Sequence, residues 1–125
     1  MTYVDGFILP LPKGKEDEYR GQAEKFARKT KEQGAIGTYE GLGDNLEHGH
    51  TTDFFRAVQA TDDENVVFSF IVWPDKDTRD KAWEKLMADP EMQPGAQPMP
   101  FDGKRMFWGG FKPVLNTLEK VTEAA

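Results

Sequence analysis

The chain has 125 residues, 38% of them hydrophobic and 30% charged, which suffices for one compact domain with a single core and little surplus. It has no cysteine, which excludes a disulfide framework, thiolate catalysis and cysteine-ligated zinc or iron–sulfur centres and leaves only histidine and carboxylate as metal ligands. A formal net charge of -6 opposes a nucleic-acid partner, whose affinity would come mostly from lysine and arginine neutralising phosphates.

Met1 to Asp5 shows neither a basic leader nor the start of an apolar one, and no apolar run approaches membrane-spanning length. The expectation is a soluble cytoplasmic protein with no membrane partner.

Tyr3 to Leu11 is apolar and aromatic, stops at the turn Leu11-Pro12-Lys13-Gly14, and predicts a first strand. Its faces are Tyr3, Asp5, Phe7, Leu9 and Val4, Gly6, Ile8, Pro10, with Pro10 expected near an end or edge. Lys15 to Gln33 places Tyr19, Ala23, Phe26, Ala27 and Thr30 at helical spacing. Acids open that helix and bases close it, matching its dipole, and Gly34 suits the C-terminal cap.

Ala35 to Gly43 predicts a second strand whose three glycines suggest a bulge or a close backbone approach. A polar loop from Asp44 to Asp53 follows. Phe54 to Ala60 and Val66 to Trp73 then read as a hairpin of two strands joined through Thr61 to Asn65.

Asp75 is a good N-cap for a helix through about Ala88, with Ala82, Trp83, Leu86 and Met87 on one face. Asp89-Pro90 ends it, and the proline-rich stretch to Pro100 reads as a rigid irregular connection. Asp102-Gly103 turns the chain into a last strand, Lys104 to Phe111. Residues 1–115 thus form one domain, and 116–125 a tail that is partly helical or frayed.

Strands split by two helices predict an α+β fold of the ferredoxin-like kind, an antiparallel sheet with both helices on one face. The Val66 to Trp73 strand is nonetheless largely apolar on both sides, with Val66, Phe68, Phe70 and Val72 on one and Val67, Ser69, Ile71 and Trp73 on the other. Two helices cover one face only, so a second copy of the chain is expected on the other, in a sheet-to-sheet homodimer.

Several blocks are distinctive: Tyr3-Val4-Asp5-Gly6-Phe7, Leu9-Pro10-Leu11-Pro12-Lys13-Gly14-Lys15, Arg56-Ala57-Val58-Gln59-Ala60, Met87-Ala88-Asp89-Pro90, and Pro100-Phe101-Asp102-Gly103-Lys104-Arg105-Met106 with Gly109-Gly110-Phe111. Together they resemble the YbaA-like family of small bacterial proteins over residues 1–115. The resemblance implies a dimeric α/β-barrel and no particular activity, because the family is a domain of unknown function. Wider relatives of that architecture include cofactor-independent monooxygenases, haem-degrading enzymes and stress-response barrels. Trp108 and the segment Gln93 to Gln97 depart from the family pattern.

Charges inside strands must be paired or functional, which singles out Asp5, Glu40, Arg56 and Arg105. With the first and last strands side by side at the sheet centre, Asp5 would meet Arg105, and Arg56 would join from the hairpin. One reading is a structural ion pair fixing register. The other is a catalytic anion-binding cleft, with an arginine gripping a carboxylate or enolate while Asp5 or Glu40 moves a proton.

Tyr39, Trp73 and Trp108 could line a ligand pocket for a flat apolar molecule, although core or interface is the commoner fate of such residues. His48 and His50 are weak metal candidates in a loop that more simply reads as solvated. Ser69, the only serine, lacks a nucleophile elbow, and neither glycine pair matches a nucleotide-binding fingerprint. The sequence therefore predicts a homodimer that binds a small anionic or aromatic metabolite without a cofactor, as a monooxygenase or isomerase. The alternative is a non-catalytic stress-response or interaction protein whose sheet face is only an interface.

Overall fold

Period-two alternation sends Tyr3, Asp5, Phe7, Leu9 and Leu11 to one face of the first strand, β1 (Tyr3–Pro12), and Val4, Gly6 and Ile8 to the other. In the computed structural model, which describes residues 2–93 and 98–118, β1 leads into α1 (Glu16–Glu32) and β2 (Gly37–Leu42). A short α2 (Phe54–Ala57), then β3 (Glu64–Trp73), α3 (Lys76–Ala88) and β4 (Phe107–Phe111) complete the order. The four strands form one sheet in the order β2-β3-β1-β4, with every adjacent pair antiparallel. That is the strand order of the ferredoxin-like layout, so β1 and β3 are central and β2 and β4 are edges; the last strand does pair with the first, but at the edge and not at the centre expected for it. No helix among the described residues is long and apolar enough to cross a membrane.

Both long helices pack on the face that carries Tyr3, Phe7, Ile71 and Trp73, where Phe26 of α1 and Ala82 and Trp83 of α3 complete a cluster with Ala35. A second cluster joins Leu9, Leu11 and Val67 to Tyr19, Phe101 and Met106. The termini of α1 and α3 follow local chemistry. Asp75 caps α3 by accepting from the Thr78 amide at 2.7 Å, and Gly34, at φ 106°, takes the left-handed conformation that closes α1.

Two expectations about the elements are corrected. The segment from Phe54 is no strand, because the Asp53 carboxylate accepts from the Arg56 amide at 2.7 Å and nucleates α2 instead. The hairpin partner of β3 is therefore lost, and β3 pairs with β2 and β1. Lys104 and Arg105 belong to a 3-10 turn, Gly103–Arg105, capped by Asp102, so β4 begins later, at Phe107. The β2–β3 register runs unbroken from Gly37 to Leu42, so β2 carries no bulge. A Cβ at position 41 would stand 2.8 Å from the Tyr39 ring of the same strand and 3.4 Å from the Phe68 carbonyl oxygen of β3. Finally, residues 113–118 are not helical, while 119–125 lie outside the described residues. Pro10 sits in a central strand but past the end of the β4 pairing, where β1 has a ladder partner on one side only.

The opposite face of the sheet carries Val4, Ile8, Tyr39, Phe68, Phe70, Val72, Phe107 and Phe111 with no helix over it. Tyr39 is 57% exposed, Phe68 46% and Phe111 63%. An open groove of about 580 Å³ runs along this face, walled by Phe68, Phe70 and Phe111 on the sheet and by Leu115 and Leu118 of the C-terminal segment. That segment is tied back by a hydrogen bond from Asn116 to Thr2.

Candidate functional site

Asp5 lies on the helix-covered face of β1, opposite Ile71, and is 0% exposed. A charge so placed needs partners on all sides. Arg79 of α3 donates through Nη2 to Oδ1 at 2.7 Å and through Nε at 3.1 Å, while the indoles of Trp73 and Trp83 each donate to Oδ2 at 2.9 Å. The Arg79 guanidinium also lies 5.3 Å from the centre of the Tyr3 ring. Among the described residues no buried side-chain nitrogen or oxygen lacks a partner. Neither the open groove nor the helix-side cleft described below reaches Asp5. Arg79, which sequence reasoning missed, shares a helical face with Ala82, Trp83 and Leu86, and this spacing was the available signal.

The pairing expected between Asp5 and Arg105 does not form, because Arg105 sits in the 3-10 turn before β4 at the other end of β1. It makes a two-pronged pair with Glu64, both bonds at 2.7 Å, and further donates to Asp102 at 2.9 Å and to the Gln59 carbonyl at 2.8 Å. The Arg105 hydrogen bonds hold the buried Glu64 carboxyl down at about 2. A depressed carboxyl stabilises the fold above its unfolded pKa, near 4.5 here, and that stability is lost as pH falls from there towards 2. Arg105→Ala is therefore expected to flatten the acid limb of stability, read as urea midpoints over that pH interval. An unchanged limb would sink the assignment.

Arg56 is solvent-facing on α2, donating to the His50 carbonyl at 3.0 Å and standing 3.6 Å from Asp53. It does not join Asp5 or Arg105. His48 stacks on Phe55 with ring centres 4.7 Å apart and its Nδ1 is 3.8 Å from Asp53, and the described residues hold no group of three or more His, Asp or Glu able to hold a metal.

The three expected pocket aromatics are likewise dispersed. Trp73 is completely buried against Asp5. Tyr39 lies on the open face, stacked on Phe70 at 5.2 Å. Trp108, 51% exposed on edge strand β4, stacks on Phe7 at 5.8 Å and leans on Trp83 at 5.3 Å.

Of the expected residues, Trp108 borders the open groove, and Glu40 alone lines the second cavity, on the helix side of the sheet. Alternation on β2 turns Thr38, Glu40 and Leu42 towards α1, whose apolar stripe presents Tyr19, Ala23 and Ala27. Between them is a cleft of about 310 Å³ with Leu11 and Val67 among its walls and Glu16, Arg20 and Glu24 on its α1 side. The Tyr19 hydroxyl donates to Glu40 Oε1 at 2.6 Å, and Ser69 stands directly across the β2–β3 ladder from Glu40. Glu40 is exposed, but partial burial pushes its pKa above the ordinary carboxylate value, with the Tyr19 and Ser69 hydroxyls opposing the shift. The Tyr19 phenol is raised too, by burial and then by the neighbouring Glu40 charge. A carboxyl that exchanges its proton closer to neutrality, on the wall of a mainly apolar cleft, can act as a general acid or base. Tyr19 was visible in the sequence only as one member of an apolar helix stripe.

Comparisons with known proteins agree with this architecture. A structure of SnoaB, a cofactor-independent oxygenase from Streptomyces nogalater, superposes with a TM-score of 0.51 at 16% identity, over 92% of this chain and 96% of that one, a likeness of fold alone. The uncharacterised protein YbaA of Escherichia coli K12 is 46% identical over 116 residues, covering 93% of this chain and 99% of the relative, and YbaA of Shigella flexneri matches to the same extent. The family of proteins of unknown function called DUF1428 matches residues 2–103, and to that YbaA-like family the chain belongs.

Proposed function

We propose that this chain works in the cytoplasm as a homodimer that binds a small, largely apolar or aromatic metabolite in the α1–β2 cleft, with no prosthetic group, and that Glu40 moves a proton on the bound molecule. The observation that carries this reading is Glu40 itself, with its raised pKa and its hydrogen bond from Tyr19, on the wall of the cleft. A base in such a place serves an isomerase, which shifts a proton within the substrate. It equally serves a cofactor-independent oxygenase, which must first generate an electron-rich carbanion or enolate. SnoaB supports the second chemistry on this fold by analogy. An arginine clamp for an anion is not favoured, because Arg56 and Arg105 are absent from the cleft walls.

The homodimer rests on the open sheet face. Tyr39, Phe68, Phe107 and Phe111 form one apolar surface on a protein otherwise rich in charge, and a second copy presenting the same surface would remove both from water.

The test is a thermal-shift screen of aromatic metabolites, since a ligand of the native state must raise the melting temperature. Hits are expected to lose turnover in Glu40→Gln by about 100-fold or more, beyond any loss of binding. The pH profile of turnover is expected to show a limb above the ordinary carboxylate range. Hits that neither touch the cleft nor respond to Glu40→Gln would favour the non-catalytic reading instead.

A further inference from the structure

The charges around the cleft are unequal in what they are free to do. Glu16 spends both carboxylate oxygens on the Gly14 amide, at 2.8 and 3.1 Å. The Arg20 side chain is 67% exposed, with its guanidinium 2.8 Å from Asp17, another solvent-facing residue. Glu24 has no ion-pair partner among the described residues, and no lysine lines the cleft. The carboxylates lining the space without a cationic partner among the described residues are thus those of Glu24 and Glu40, both exposed.

We propose that the molecule this cleft recognises carries a positive charge, a primary or secondary amine on a small apolar body, with the ammonium group against Glu40 and the body on Leu11, Ala23, Ala27 and Val67. This inference rests on the cleft being the binding site.

Hydrogen-bond accounting points the same way. A carboxylate offers about four acceptor positions, and the Tyr19 hydroxyl uses one of those on Glu40. Glu40 is exposed, so solvent meets the rest in the open cleft; a ligand that expels that solvent must supply donors in its place, and an ammonium is a donor-only group. The Tyr19 ring adds an aromatic face of the kind cations favour. A carboxylate ligand would instead meet Glu24 and Glu40, with only the solvated Arg20 to offset them. The formal net charge of -6 adds a long-range field that draws cations to the surface.

Benzylamine, benzyl alcohol and benzoate have nearly the same size and differ in charge, so they isolate this term. Each is titrated into the isotope-labelled full chain, with NMR signals of Tyr19, Ala23 and Gly41 reporting the cleft. Benzylamine is expected to bind about tenfold or more tightly than benzyl alcohol, with benzoate weakest. Glu40→Gln is expected to abolish that preference, and Glu24→Gln, at the α1 rim of the cleft, to reduce it, with melting temperature confirming that both variants fold. Alcohol and amine binding equally well in the cleft would overturn the charge inference while leaving the cleft as a binding site. Benzoate binding best would overturn it in favour of recognition by Arg20. If none of the three moves the cleft signals, both this inference and the cleft reading fall.

Discussion

Asp5→Ala is expected to destabilise the fold by about 3–5 kcal/mol, the cost of stranding a buried charge whose partner has been removed. The partner is Arg79, whose guanidinium turns its Nε and Nη2 onto this one carboxylate. Two indole N–H groups lose their acceptor at the same time, each a buried donor left unsatisfied. Asp5→Asn keeps the shape but turns an amide N–H₂ towards donors, so it is expected to recover only part of the loss. The decisive control is Asp5→Leu with Arg79→Met, which removes both charges together and should be much less harmful than Asp5→Ala, because an apolar replacement of a buried pair leaves no lone charge. Urea denaturation of the set measures this. A loss under about 1 kcal/mol in Asp5→Ala would mean that the site is wetter than its 0% exposure indicates.

Phe68→Asp combined with Phe111→Asp is expected to convert the proposed dimer to a monomer. These side chains, 46% and 63% exposed on the open face, come from central strand β3 and edge strand β4, so a sheet-to-sheet interface must bury both. A buried aromatic anchor contributes about 2 kcal/mol or more, so each substitution should weaken association by about thirtyfold, and an unpaired buried carboxylate adds to that. Light scattering across a dilution series reads the outcome, with circular dichroism confirming that the monomer keeps its fold. A wild-type chain that is monomeric at micromolar concentration would overturn the dimer.

The fold was largely legible because it follows from local and periodic signals. Helix α1 could be read from its apolar stripe, its charge gradient and Gly34, and α3 from the Asp75 cap, since capping and periodicity act within a few residues. The same locality explains the main error. Phe54 to Ala60 has strand-like composition, but the Asp53 carboxylate supplies the first helical hydrogen bond, and one cap outweighs a weak β preference over so short a run. The offset start of β4 has a like cause in Asp102, which caps the 3-10 turn holding Arg105.

The sequence by itself determined the α+β class, the central apolar strand from Val66 to Trp73, the exclusion of cysteine chemistry, and the fact that Asp5, Glu40 and Arg105 needed partners. Only the tertiary structure decided which partners they have. Asp5 meets Arg79, Arg105 meets Glu64, and Glu40 meets Tyr19, pairs separated by 74, 41 and 21 positions in the chain. Composition shows that a strand charge must be neutralised or used, because burial without a partner is too costly. Which helix face or turn arrives beside it depends on strand order and on the crossover of each helix, and these are properties of the packed sheet. That packing placed two of the three charges in satisfied pairs and left Glu40 on the wall of a cleft.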